Sequence, residues 1–192
     1  QAAICFCGLY VLFNPFVELW VGREYLFDEV VVAAMAFSFY LTYMRKAVLM
    51  FRDAAGLYWN DRYKPLAESV INLAASIYLT IHYGVIGVVL GGIISTLLTC
   101  FWVEPYVLFN NGIDIKLKDC FIDYLKFTAA ALLSALVSKF IYSSLFVNVT
   151  LVNFIVGILI CVSVTFVLWY GMFRNREEME YLVNLLKSKF VK

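Results

Sequence analysis

Charge is what this sequence has least of. Asp, Glu, Lys and Arg make up 15% of its 192 residues, where a soluble domain carries about a quarter, and 64% are hydrophobic. An ordinary water-soluble globule is excluded, and the net charge of +1 gives no pointer to a nucleic-acid partner. Histidine is nearly absent: His82 stands alone at a helix turn with no obvious Ser, Cys or Asp partner. No glycine-rich phosphate loop precedes a soluble helix, and the connections reach only about fifteen residues, too short for a catalytic domain. Nothing asks for enzyme chemistry, a metal or a cofactor. The five cysteines, Cys5, Cys7, Cys100, Cys120 and Cys161, lack metal-ligand spacing and are expected to pack as small hydrophobes. The apolar run after Gln1 has no basic segment before it and is not expected to be a signal peptide. That abrupt start reads as a chain whose earlier part is missing.

What is present is long apolar runs. A helical span needs about 20 mainly apolar residues, and six segments approach this: 3–21, 29–50, 66–83, 85–108, 121–143 and 149–172. Period-two alternation is missing over these lengths, which argues against a β-barrel. The expectation is an all-α polytopic bundle of about six transmembrane helices, with the third and fourth paired as a hairpin at Tyr83-Gly84. Of the 15 basic residues, 13 fall on connections of one parity or in the tail. They are Arg45, Lys46, Arg52, Arg62 and Lys64, then Lys116, Lys118 and Lys126, then Arg174, Arg176, Lys187, Lys189 and Lys192. By the positive-inside rule these connections and the C-terminus are cytoplasmic. Residues 173–192 read as an amphipathic tail on the inner surface, with Met179, Leu182, Val183, Leu186 and Phe190 on one face.

Polar groups are costly inside a bilayer, so their spacing carries the functional signal. On the second span Ser38, Thr42 and Arg45 recur at four and three residues, and Arg52 extends the row. On the third, Glu68, Asn72, Ser76 and Thr80 recur every four. Both rows are expected to face a bundle interior or a water-filled cavity. Gly87, Gly91 and Ser95, continued by Thr99, form a small-residue ladder suited to close helix packing, and Asn153, Gly157, Cys161 and Thr165 a weaker one. In the first span, Asn14-Pro15 with Glu18 one turn on marks a kink, read either as an outer gate or as a plain bend. Lys139 is expected to snorkel from the fifth span.

These residues also carry a resemblance. Asn14-Pro15-Phe16-Val17-Glu18-Leu19-Trp20-Val21-Gly22 is similar to a span end of bacterial polysaccharide and O-antigen flippases, in the superfamily of multidrug and lipid II exporters. From Phe51 to Phe109 the order continues with Phe51-Arg52-Asp53-Ala54-Ala55-Gly56-Leu57, Pro65-Leu66 with Glu68, and Ile71-Asn72-Leu73 with Ser76-Ile77. Gly84, Gly87-Val88, Gly91, Trp102 and Glu104-Pro105 complete it, and Gly92, where many members carry Thr, departs from it. The resemblance implies the C-terminal portion of a two-lobe transporter in the bacterial cytoplasmic membrane. Its substrate would be an undecaprenyl-diphosphate-linked oligosaccharide moved between leaflets for surface polysaccharide such as O-antigen, lipopolysaccharide or capsule. Its partners would be membrane lipid, the missing N-terminal half and other polysaccharide-assembly proteins. Arg45 and Arg52 would capture the diphosphate, Asn72, Ser76 and Thr80 the sugar hydroxyls, and Glu68 would neutralise an arginine or serve ion coupling. The competing readings are an ion-coupled exporter of drugs or small cations, a polysaccharide polymerase or ligase, and a membrane scaffold.

Overall fold

Six long helices account for nearly all of the computed structural model, which describes residues 1–111, 117–146 and 148–174; no strand occurs among them. They are α1 (Ala2–Trp20), α2 (Glu29–Ala54), α3 (Lys64–Tyr83), α4 (Val85–Asn111), α5 (Leu117–Leu145) and α6 (Leu151–Phe173). The fold is therefore the expected all-α bundle. Helices α1, α4, α5 and α6 are long and apolar enough to cross a membrane, which makes this a multi-pass membrane protein. Helices α2 and α3 match them in length but are more polar, because they carry the two polar rows. Of the expected tail, only Phe173 and Arg174 lie within the described residues, as does the end of α6.

Local chemistry explains the helix boundaries. Pro65 sits in the first turn of α3, where its missing N–H costs no hydrogen bond. Gly84 ends α3 and starts α4 with φ +66°, a conformation glycine adopts without a Cβ clash. The expected hairpin follows from that one residue. Thr150 caps α6 by accepting a hydrogen bond from the Asn153 N–H at 3.3 Å. Within α4, residues Thr96–Cys100 form a π-helical segment, which rotates the following turn relative to the preceding one.

Helices α1, α2, α5 and α6 enclose the core. Cys7, Ala36, Tyr40, Ala131, Ala135 and Cys161 are nearly or fully buried there, and the alanines let neighbouring backbones approach closely. The Cys7 thiol contacts the Ser134 carbonyl oxygen at 3.8 Å, and Tyr40 donates to Thr128 Oγ1 at 3.3 Å. The α3–α4 hairpin stands beside this core, joined to it through contacts of α4 with α2. No residue of α3 is fully buried. Apolar side chains such as Leu66, Ile81, Leu125 and Phe140 cover the outside. Such a surface would aggregate in water but is the ordinary exterior of a helix bundle in lipid.

Candidate functional site

A network of ion pairs, buried at Glu104, Asp61 and Lys64, joins α2, the start of α3 and the part of α4 beyond the π-helical segment. Arg45 donates to both oxygens of Glu104, from Nε at 3.0 Å and from Nη2 at 2.6 Å. This fork-on-fork geometry is the strongest arrangement available to the two groups. Nη1 of Arg45 reaches Glu68 at 3.4 Å. Lys64 Nζ binds the same Glu104 carboxylate at 2.6 Å and Asp61 at 3.3 Å. Arg52 completes the chain, with Nη1 2.5 Å from Asp61 and Nη2 2.7 Å from Asp53. The Glu104 side chain is 1% exposed and that of Lys64 7%, so both are withdrawn from water.

The balance of charge decides what this network can do. Arg45, Arg52 and Lys64 face Glu68, Glu104, Asp61 and Asp53, so every cation in it already has a carboxylate. Arg45 and Arg52, expected to capture a diphosphate, are each paired with the protein's own acids. Arg45 ties α2 to α3 and α4, and Arg52 ties the end of α2 to Asp61 in the α2–α3 connection. Glu68 does neutralise an arginine, and that arginine is Arg45.

The α2 row divides between two surroundings. Ser38 and Thr42 line a cleft between α2 and α4, together with Met35, Phe39, Tyr43 and Lys46 from α2 and Val88, Val89 and Gly92 from α4. Its volume is about 500 Å³, within the usual range for ligand sites. Thr42 Oγ1 donates to the Ser38 carbonyl at 3.0 Å. Phe39 and Tyr43 lie with ring centroids 4.6 Å apart, and Lys46 Nζ sits 4.1 Å from the Tyr43 centroid. At Gly92 an added Cβ would meet no atom within 4 Å, so the missing side chain is open cleft. The residue at i+8 from Ser38 is therefore Lys46, and Arg45, about 100° round the helix from it, turns to Glu104 instead.

The α3 row does not converge with that cleft. Asn72 accepts from Ser76 Oγ at 2.9 Å, and Asn72 and Thr80 remain exposed. Ser76 lies in the α3–α4 seam, where a Cβ on Gly91 would come within 2.7 Å of Ser76 Cα. Gly87 approaches the backbone of Leu79 and Thr80 in the same way. Ser95 is buried and donates to the Gly92 carbonyl at 3.0 Å.

At the other end of the bundle, Asn14 reads the backbone of Phe27 in both directions. Its Nδ2 donates to the Phe27 carbonyl at 2.8 Å, and its Oδ1 accepts from the Phe27 N–H at 3.2 Å. Glu18 pairs with Arg23 at 2.6 Å. These residues clamp the α1–α2 connection, and Pro15 lies inside α1 between them. Asn14 and Pro15 also border a smaller cleft of about 180 Å³ with Tyr10, Glu29 and Lys139. Lys139 is held there by Glu29 at 2.5 Å and Tyr10 Oη at 3.3 Å.

Periodicity on single helices did not single out Glu104, Asp61, Lys64 or Lys46 as site residues. The signal for Lys46 was available as the spacing of four that runs Ser38, Thr42, Lys46. Comparison with family models, curated proteins and solved structures found no match to this chain.

Proposed function

We propose that the chain is the C-terminal lobe of a flippase for lipid-linked oligosaccharides in the bacterial cytoplasmic membrane. It moves undecaprenyl-diphosphate-linked repeat units between leaflets and performs no covalent chemistry. The C-terminus and the basic connections face the cytoplasm, and a second lobe covers the α3 and α4 faces. The observation that carries this reading is the α2–α4 cleft. It combines an aromatic pair, hydroxyls and one cation, the set that stacks on sugar rings, bonds their hydroxyls and attracts a phosphate. The resemblance of the sequence elements, in their order, to polysaccharide flippases supports the same reading.

An exporter of small cations would place a carboxylate in this cleft. The residues lining it include Lys46 and no acid, while Glu68 and Glu104 are occupied by Arg45 and Lys64. A polymerase or ligase of the same pathway carries a long outer loop with catalytic Arg or His. The α1–α2 connection here is eight residues, with Arg23 bound to Glu18.

The reading is tested by binding to the intact transporter in nanodiscs. Undecaprenyl-diphosphate-linked oligosaccharide is expected to bind saturably, and Ser38→Leu with Thr42→Leu to abolish it. Saturable uptake of a cationic dye with no binding of the glycolipid would overturn it in favour of the exporter.

A further inference from the structure

Three cations on or beside α2 are candidates to meet an anionic substrate, and the structure treats them differently. Arg45 is committed to Glu104 and Glu68, and Arg52 to Asp53 and Asp61. Recruiting either for a ligand means breaking its short ion pair with a buried carboxylate, Glu104 for Arg45 and Asp61 for Arg52, and leaving that acid to Lys64 alone. Lys46 has no ion pair among the described residues. Its one described contact is the face of Tyr43, an interaction that steadies an ammonium without neutralising it.

Position favours the same residue. Lys46 lies eight residues before the end of α2 at Ala54, about 12 Å along the axis at 1.5 Å per residue. A lysine reaching for water would extend toward that charged end. Side chains on a helix lean toward its N-terminus, and the contact with Tyr43, one turn back, shows this one doing so. Its ammonium is therefore carried back along α2 onto Tyr43, within the set of residues that line the cleft. Because Gly92 has no side chain and free space around it, the cleft stays open at this level.

Resting on the flippase reading above, we infer that Lys46 is the group that receives the diphosphate of the substrate. Arg45 serves instead to hold α2 to α3 and α4, and Arg52 to fix the α2–α3 connection. The ammonium donates hydrogen bonds to the phosphoryl oxygens, Thr42 and Tyr43 flank it, and the first sugar stacks on the Phe39–Tyr43 pair. The recognised chemistry is a diphosphate ester, whether on a polyprenyl chain or free.

The test is equilibrium binding of undecaprenyl diphosphate to the intact transporter in phosphatidylcholine nanodiscs, with inorganic diphosphate and phosphatidylglycerol as competitors. Loss of one charge-assisted contact predicts about tenfold weaker binding by Lys46→Gln, and a flatter salt dependence. Lys46→Arg is expected to restore affinity to within about threefold, and Arg62→Gln, a basic residue outside the cleft, to bind as the parent does. Inorganic diphosphate should compete in the parent and lose that ability in Lys46→Gln. Binding by Lys46→Gln equal to the parent's would overturn the assignment while leaving the flippase reading intact. So would competition by phosphatidylglycerol as strong as by diphosphate, since Lys46 would then be a headgroup anchor. If the parent binds no undecaprenyl diphosphate but takes up ethidium, both the assignment and the flippase reading fall.

Discussion

Arg45 and Glu104, 59 residues apart in the chain, form a two-point hydrogen-bonded ion pair at 3.0 and 2.6 Å, with the Glu104 side chain 1% exposed. The pair joins α2 to α4 just beyond the π-helical segment, and Lys64 joins α3 to the same carboxylate. Three helices thus meet at one acid.

Breaking that pair from one side leaves Glu104 with Lys64 alone, or Arg45 with Glu68 alone. Glu104→Leu, which takes the acid from both Arg45 and Lys64, is expected to destabilise the bundle by about 3–5 kcal/mol, and Arg45→Met by less, since Lys64 still holds Glu104. Combining the two should cost less than the sum of the singles, because the direct pair is lost only once, while Lys64 keeps Asp61. Thermal unfolding of the purified variants in detergent measures this. A double variant as unstable as the sum of the singles would count against a direct pair.

Neighbouring glycines on α4 should respond oppositely. Gly91 lies against Ser76, so Gly91→Val forces the α3–α4 seam apart and is expected to cost about 1–3 kcal/mol or more. At Gly92 an added Cβ meets nothing, so Gly92→Ala is expected to melt no lower than the parent protein. Comparing melting temperatures separates the packing ladder from the open cleft.

Asn14 makes two hydrogen bonds to the Phe27 backbone. Asn14→Ala is expected to release the α1–α2 connection at a cost of about 1–3 kcal/mol. The readout is faster amide hydrogen exchange across residues 22–28, with α2 itself unchanged. Unaltered exchange there would remove the clamp role.

The Lys139–Glu29 pair is short at 2.5 Å, yet its Glu29 side chain is 75% exposed. Solvent screening should hold its coupling energy below about 1 kcal/mol. A double-mutant cycle with Lys139→Ala and Glu29→Ala, followed by thermal unfolding, measures it. Coupling several times larger would mark the small cleft beside Asn14 as more than a surface contact.

Much of the fold was legible because membrane helices report themselves locally. Apolar length marked the helices, Gly84 marked the hairpin, and the spacing of Gly87 and Gly91 marked a face that approaches another backbone. The polar residues were harder to read. Helical periodicity places Ser38, Thr42 and Arg45 within one broad face but does not say which neighbour each meets. Lys46 and Arg45 are adjacent in sequence, yet about 100° of rotation sends one to an open cleft and the other to Glu104. The partner that captures Arg45 lies 59 residues away, beyond a π-helical segment that shifts the phase of α4. No pattern on α2 alone contains that information. On α3, a spacing of four described both Glu68, which meets Arg45, and Ser76, which packs in the hairpin seam; the same row serves two neighbours.

The central claim is that the α2–α4 cleft carries a glycolipid across the membrane. The direct measurement is translocation of undecaprenyl-diphosphate-linked oligosaccharide by the intact transporter in proteoliposomes, with matched amounts of folded protein. Transport is expected from the parent, with at least a tenfold loss when Ser38 and Thr42 are both replaced by Leu. Transport by the Leu double variant at the parent's rate, or none by the parent itself, would contradict it.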